Sequence, residues 1–249
     1  MKKHYTFAAR RREAGFTLVE MMVAITIGLV VVFGMTATFV SLKNTFKSQD
    51  KLGQLQDAER IALTFLTTAI NNAGYYPDPK SASPLTGGTP PTSTPTSPGG
   101  AMPTGAAIFG TAASGTNGES LQTSFATLST DNLISCLGTT YSGAGTAVVR
   151  NIYYVDTTNK NLMCRVLVNN STTDAMANGG TPQIVVPGVS SMSVLYGIAA
   201  SGSSQVTHYV DVGTVSDWTV VKAVRVTLNF TGPFGGADIS RTHTINLMN

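Results

Sequence analysis

The chain reads as an α+β protein, a long N-terminal helix packed on a mainly antiparallel C-terminal β-sheet. Three observations predict it. Residues 16–76 contain no proline and carry an apolar run followed by a 3.6-residue hydrophobic period. A stretch rich in Ser, Thr, Pro and Gly then breaks the pattern. Beyond residue 120 the period switches to two, with turn residues between the runs.

Residues 1–15 form a basic leader. Lys2, Lys3, Arg10, Arg11 and Arg12 against Glu13 give it +4, while the remainder has 11 basic and 12 acidic residues, so the whole-chain +3 belongs to the leader. A charge this small and this local argues against nucleic-acid contact. Residues 16–40 contain one ionisable side chain, Glu20. As a helix they extend about 37 Å, enough to cross the hydrocarbon core of a membrane. The basic flank holds the N-terminus in the cytoplasm and directs the rest across the inner membrane. A cleaved secretory signal fits poorly, because its apolar region runs to only about 7–15 residues.

Residues 41–74 continue the helix as an amphipathic segment. Leu55, Ala58, Ala62, Phe65, Leu66, Ala69 and Ile70 recur on one face, and Gly74 before Tyr75-Tyr76-Pro77 reads as its C-cap. Gly28, Gly34 and Gly53 are places where it can bend. The first half needs lipid or other helices around it, and the second needs a sheet. Residues 75–120 read as loop, with 28 of the 40 residues from 81 to 120 being Ser, Thr, Pro or Gly. A spacer, an exposed recognition loop and an O-glycosylation target are all compatible with that composition.

Residues 121–249 form a β-rich domain, placed in the periplasm by the membrane orientation. Val224, Val226, Leu228 and Phe230 alternate with Arg225, Thr227 and Asn229, and shorter runs occur at 148–156, 162–168, 183–196, 206–212 and 242–248. Charged residues are only 12% of the chain, whereas Ser and Thr number 56, so the exposed surface is mostly neutral hydroxyl. The domain offers little for catalysis. His208 and His243, with Asp211, Asp217 and Asp238, have no ligand or triad spacing, and no nucleophile-elbow, zincin or phosphate-loop string occurs. No cofactor, metal or enzymatic activity is expected. Cys136 and Cys164 allow one bridge at most. An oxidising compartment favours the bridge, and two buried free thiols are the alternative.

The junction of leader and apolar run reads Gly15-Phe16-Thr17-Leu18-Val19-Glu20. It resembles the prepilin cleavage and methylation motif of type IV pilins and their relatives. The resemblance implies a type IV pilin fold, cleavage after Gly15 by the prepilin peptidase, and N-methylation of Phe16. It also implies a role for Glu20 in assembly, pairing with the N-terminal amine of a neighbouring subunit. A carboxylate inside an apolar helix costs about 2.5–3.5 kcal/mol on insertion scales, so a partner is physically required. The absence of a helix-breaking proline departs from many bulk fibre subunits.

Pieces along the rest of the chain resemble the PilW-type minor pilins. They are Ala73-Gly74-Tyr75, Ser135-Cys136-Leu137-Gly138, Leu162-Met163-Cys164-Arg165, Pro187-Gly188-Val189, and Trp218 with the run ending Val224-Arg225-Val226. Ser135 stands where that branch commonly has an acid before the cysteine. The branch implies a minor pilin that helps initiate pilus assembly, with the inner membrane, the prepilin peptidase and other minor and major pilins as partners. Its expected location is the inner membrane and then the extracellular filament. A pseudopilin of a type II secretion system shares the same N-terminus. A membrane-anchored periplasmic enzyme or binding domain is the reading from a different class.

Overall fold

A computed structural model describes residues 15, 17–77, 99–100, 102–103, 105–168, 181–200, 202–203 and 205–247. The chain divides into two compact units between Asp50 and Lys51. Helix α1 (Leu18–Asn71) supplies the described first unit beyond Thr17 and continues into the second.

Within the first unit every described side chain is exposed, including Leu18, Met21, Val30, Phe33, Phe39 and Phe46. Four threonine hydroxyls of this unit are satisfied within the helix itself. The hydroxyls of Thr26, Thr36, Thr38 and Thr45 donate to the carbonyls of Val23, Val32, Gly34 and Ser41 at 2.8–3.1 Å. A threonine bonded to its own helix exposes no unmet donor, which suits an environment without water.

In the second unit α1 turns amphipathic. Leu55, Ala62, Leu66, Ala69 and Ile70 are buried at helical spacing, whereas Ile61 and Phe65 on the flank stay partly exposed. Gly74 ends the helix with φ 81°, a left-handed conformation that a side chain would strain. Its N–H donates to the Ser124 carbonyl at 2.8 Å, and the Tyr75 carbonyl accepts from Ala126 N–H at 2.9 Å, tying the helix end to a strand.

The described strands form two antiparallel sheets. The first is a meander of β1 (Ile108–Thr111), β2 (Asn117–Thr127), β3 (Ala147–Asp156), β4 (Asn161–Val168) and β5 (Gln183–Pro187), in that spatial order. The second contains β6 (Val189–Ala199), β7 (Val206–Asp211), β8 (Val221–Phe230) and β9 (Ile239–Asn246), ordered β7-β6-β8-β9. The α+β layout is as the sequence predicts and is consistent with a pilin fold.

Two features differ from the sequence reading. The single sheet is two, and the run 183–196 is two strands that belong to different sheets, divided at Gly188 with φ 81°. Alternation continues on both sides of that glycine, so periodicity alone does not reveal the break. The stretch 75–120, read as loop, contains β1 and the first residues of β2. Ile108–Thr111 is only four residues long and is held by its pairing with residues 120–123, a partnership that composition does not display.

The inner faces of both sheets and the helix share one core. Leu121, Phe125, Val149, Tyr153 and Val166 come from the first sheet, Val194, Tyr196, Val224, Val226 and Leu228 from the second, and Leu66 and Ile70 from α1. Polar and aromatic links join the sheets. Glu119 Oε2 on β2 accepts from Val194 N–H on β6 at 2.8 Å. Trp218 meets Phe109 and Tyr196 edge-on, each with ring centroids 4.8 Å apart.

Candidate functional site

The N-terminal motif is built around the start of α1. The Thr17 carbonyl accepts from Met21 N–H at 3.2 Å, and Thr17 Oγ1 accepts from Glu20 N–H at 3.3 Å. Thr17 is therefore the N-cap, and it ends the helix just after the Gly15-Phe16 bond. Gly15 is exposed and outside the helix. Phe16 and residues 1–14, most of the expected leader, lie outside the described residues. Thr-x-x-Glu before an apolar run is a recognisable capping signature, so the cap role of Thr17 is legible in the sequence.

Glu20 occupies the first turn of α1, where the helix dipole favours a negative charge. Its neighbours Leu18, Val19 and Met21 are apolar and exposed. Among the described residues its carboxylate has no partner.

The two cysteines are joined. Cys136, in the connection between β2 and β3, is bridged to Cys164 on β4 with Cα atoms 6.4 Å apart. This decides between the bridge and the free thiols. Asn151 Oδ1 on β3 accepts from Cys136 N–H at 3.0 Å, so two separate contacts hold the connection against the sheet. Ser135 has a local role in the same turn. Its Oγ accepts from the N–H groups of Leu137 and Thr139, both at 3.3 Å, and shares a 2.8 Å bond with Thr139 Oγ1. A hydroxyl thus serves as the turn acceptor where the related branch commonly has an acid.

The structure does not bring the histidines and acids together. His208 lies on β7 and His243 on β9, the opposite edges of the second sheet. The Asp217 carboxylate accepts from Thr219 N–H and Oγ1 at 2.9 and 2.7 Å, bonds that hold its pKa below the ordinary carboxylate value. Asp238 accepts from Ser190 Oγ, and Asp211 is exposed at the end of β7. Among the described residues no cluster of His, Cys, Asp or Glu could hold a metal ion.

An apolar helix with exposed side chains, joined to a β-rich unit and preceded by the Gly15-Phe16-Thr17-Leu18-Val19-Glu20 string, is consistent with a pilin-like subunit. Residues 10–36 match the family model of the prokaryotic N-terminal methylation motif. Residues 152–248, from β3 to β9, match the model described as Type IV Pilus-assembly protein W. Together the matches support a PilW-type type IV pilin. They indicate a structural, non-enzymatic protein, and the motif with its apolar helix fits a membrane-anchored pilin that ends up in the pilus. No curated protein and no solved structure matches the chain.

Proposed function

We propose that this chain is a minor pilin that is processed at the membrane, incorporated into a type IV pilus filament and active in initiating its assembly. The observation that carries the reading is the stretch of α1 from Leu18 to Val40, a span of membrane-crossing length with every side chain exposed and Glu20 alone among them ionisable. Such a surface is stable only against lipid or other apolar helices. Cleavage after Gly15 leaves the helix attached to the body and creates an amine on Phe16. Glu20 then has a cation to meet when helices of neighbouring subunits pack, which offsets its insertion cost. Extraction of the helix from lipid into a filament exchanges one apolar environment for another. The body, with its sheets and clipped connection, sets the contacts with adjacent minor and major pilins. The basic residues before the apolar helix support a periplasmic position for the body before assembly.

The test is the mature N-terminus together with filament content. Mass spectrometry of protein from peptidase-competent cells is expected to find a chain beginning at methylated Phe16. An intact Met1 there refutes the reading. Glu20→Ala is expected to be cleaved and yet be at least tenfold depleted from sheared filaments. Incorporation at the parental level removes the pairing role of Glu20.

A further inference from the structure

Each sheet has two edges, and three of the four are blunted. β1 has four residues. β5 has five, ends at Pro187 and pairs through a register shift. β7 has six and also pairs through a register shift. β9 has eight residues in unbroken register with β8. Short, bulged or proline-bearing edges resist strand addition, whereas a long regular edge is a template for it.

The direction of the free groups on β9 follows from one hydrogen bond. Leu247 N–H donates to the Lys222 carbonyl at 2.9 Å, and the register pairs Asn246 with Ala223. Hydrogen-bonded and non-bonded pairs alternate in an antiparallel ladder, so Ile245, His243, Arg241 and Ile239 bond to β8. Ser240, Thr242, Thr244 and Asn246 point their N–H and C=O groups away from it, and among the described residues nothing meets them. Residues 240–244 are exposed on both faces of the strand, unlike the inward positions of β8.

A groove lies alongside this edge, lined by Arg60, Thr64, Thr67 and Thr68 of α1 and by His243. Arg60 is the cation in its lining. Glu59, which pairs with Arg241 at 2.9 Å, is the acid on its wall. With Glu59 already paired to Arg241, the Arg60 charge is left to select an incoming segment that carries an acid on its groove-facing side. β9 itself, Ile-Ser-Arg-Thr-His-Thr-Ile-Asn, contains no acid, so edge-to-edge pairing with a second copy would set base against base.

From these observations we infer that β9 is a strand-addition site for an extended, acid-bearing segment of a different filament subunit. The added strand extends the second sheet and fills the groove, and it spans roughly 27 Å if all eight positions pair. Main-chain bonds supply the affinity, and Arg60 supplies selection. The inference rests on the filament-subunit reading above.

Amide hydrogen exchange on the full-length processed chain tests it, comparing the detergent-solubilised subunit with the subunit in assembled filaments or their minor-pilin complex. The expected result is at least tenfold slower exchange at Ser240, Thr242, Thr244 and Asn246 on assembly. Thr242→Pro deletes one outward N–H without touching the ladder to β8, and is expected to lower incorporation at least tenfold. Thr242→Val, which keeps the N–H, is expected to incorporate normally. Arg60→Gln is expected to weaken incorporation several-fold at low salt and less at high salt. Unchanged exchange in the assembled state overturns the inference, as does parental incorporation of Thr242→Pro. Protection that appears in the isolated chain as its concentration rises means that a second copy covers the edge, and overturns the acid-bearing partner. If the proline variant misfolds, exchange on the unmodified chain still decides. Incorporation without β9 protection defeats this inference alone, whereas an uncleaved chain that never enters filaments defeats the reading beneath it.

Discussion

Replacing both bridged cysteines, Cys136→Ala with Cys164→Ala, tests how the connection between β2 and β3 is held. The bridge spans a sequence separation of 28 residues. Freeing a loop of that size returns about 12 cal/mol/K of chain entropy to the unfolded state, roughly 3.6 kcal/mol at 25 °C. Cys164 is fully buried, and losing its sulfur from a packed site adds about 1 kcal/mol. Asn151 still accepts from Cys136 N–H, so the connection is not released altogether. The expected loss is about 3–5 kcal/mol. Trp218, the chain's one tryptophan, packs edge-on against Phe109 and Tyr196 and reports unfolding of the β-rich unit by its fluorescence. Urea titration of the full chain in detergent should show the midpoint falling by about 1–2 M for a slope of about 2–3 kcal/mol/M. Asn151→Ala in the same background should cost more than the sum of the separate changes predicts, because both contacts secure one residue. A loss below about 1 kcal/mol, or one midpoint with and without reductant, refutes the argument.

Leu66 is fully buried at the centre of the helix contact, so Leu66→Ala should cost about 2–5 kcal/mol by the same fluorescence titration. The Glu59–Arg241 pair, with the Arg241 side chain 50% exposed, should contribute under about 1 kcal/mol; a double-mutant cycle measures it. Burial raises the pKa of Tyr153 and Tyr196 above the ordinary 10.0, with Glu119 adding to the effect at Tyr196. The folded chain then holds these protons more tightly than the unfolded chain, so their contribution is intact below about pH 10 and declines as the pH rises beyond it. Unfolding titrations from pH 9 to about 12 should show that decline, and Tyr153→Phe with Tyr196→Phe should flatten it.

What could be read in advance was whatever is written along the chain. The helix over residues 16–74 follows from an unbroken 3.6-residue pattern without proline, and α1 (Leu18–Asn71) lies within it. The runs at 148–156, 162–168 and 224–230 fall in β3, β4 and β8, where alternation is strong. The processing motif is equally local, and its cap was readable too, since Thr17 and Glu20 stand three residues apart. The misreadings share a cause. β1 is too short to carry a period, and Gly188 changes the sheet to which a strand belongs without interrupting its alternation.

The sequence by itself determined the order of parts: a basic N-terminal segment, a string that matches the N-terminal methylation motif, an apolar helix, an amphipathic helix and a β-rich body. Each of these depends on neighbours within a few residues, where periodicity and charge act directly. Only the tertiary structure decided that the described strands form two sheets, that Cys136 bonds Cys164 while Asn151 holds the same residue, and that among the described residues β9 keeps an open regular edge. Those outcomes depend on register between segments distant in sequence, as when Thr227 meets Thr242 or Gly74 meets Ser124. A strand's sequence states which face is apolar, and it does not state which edge will be left without a neighbour.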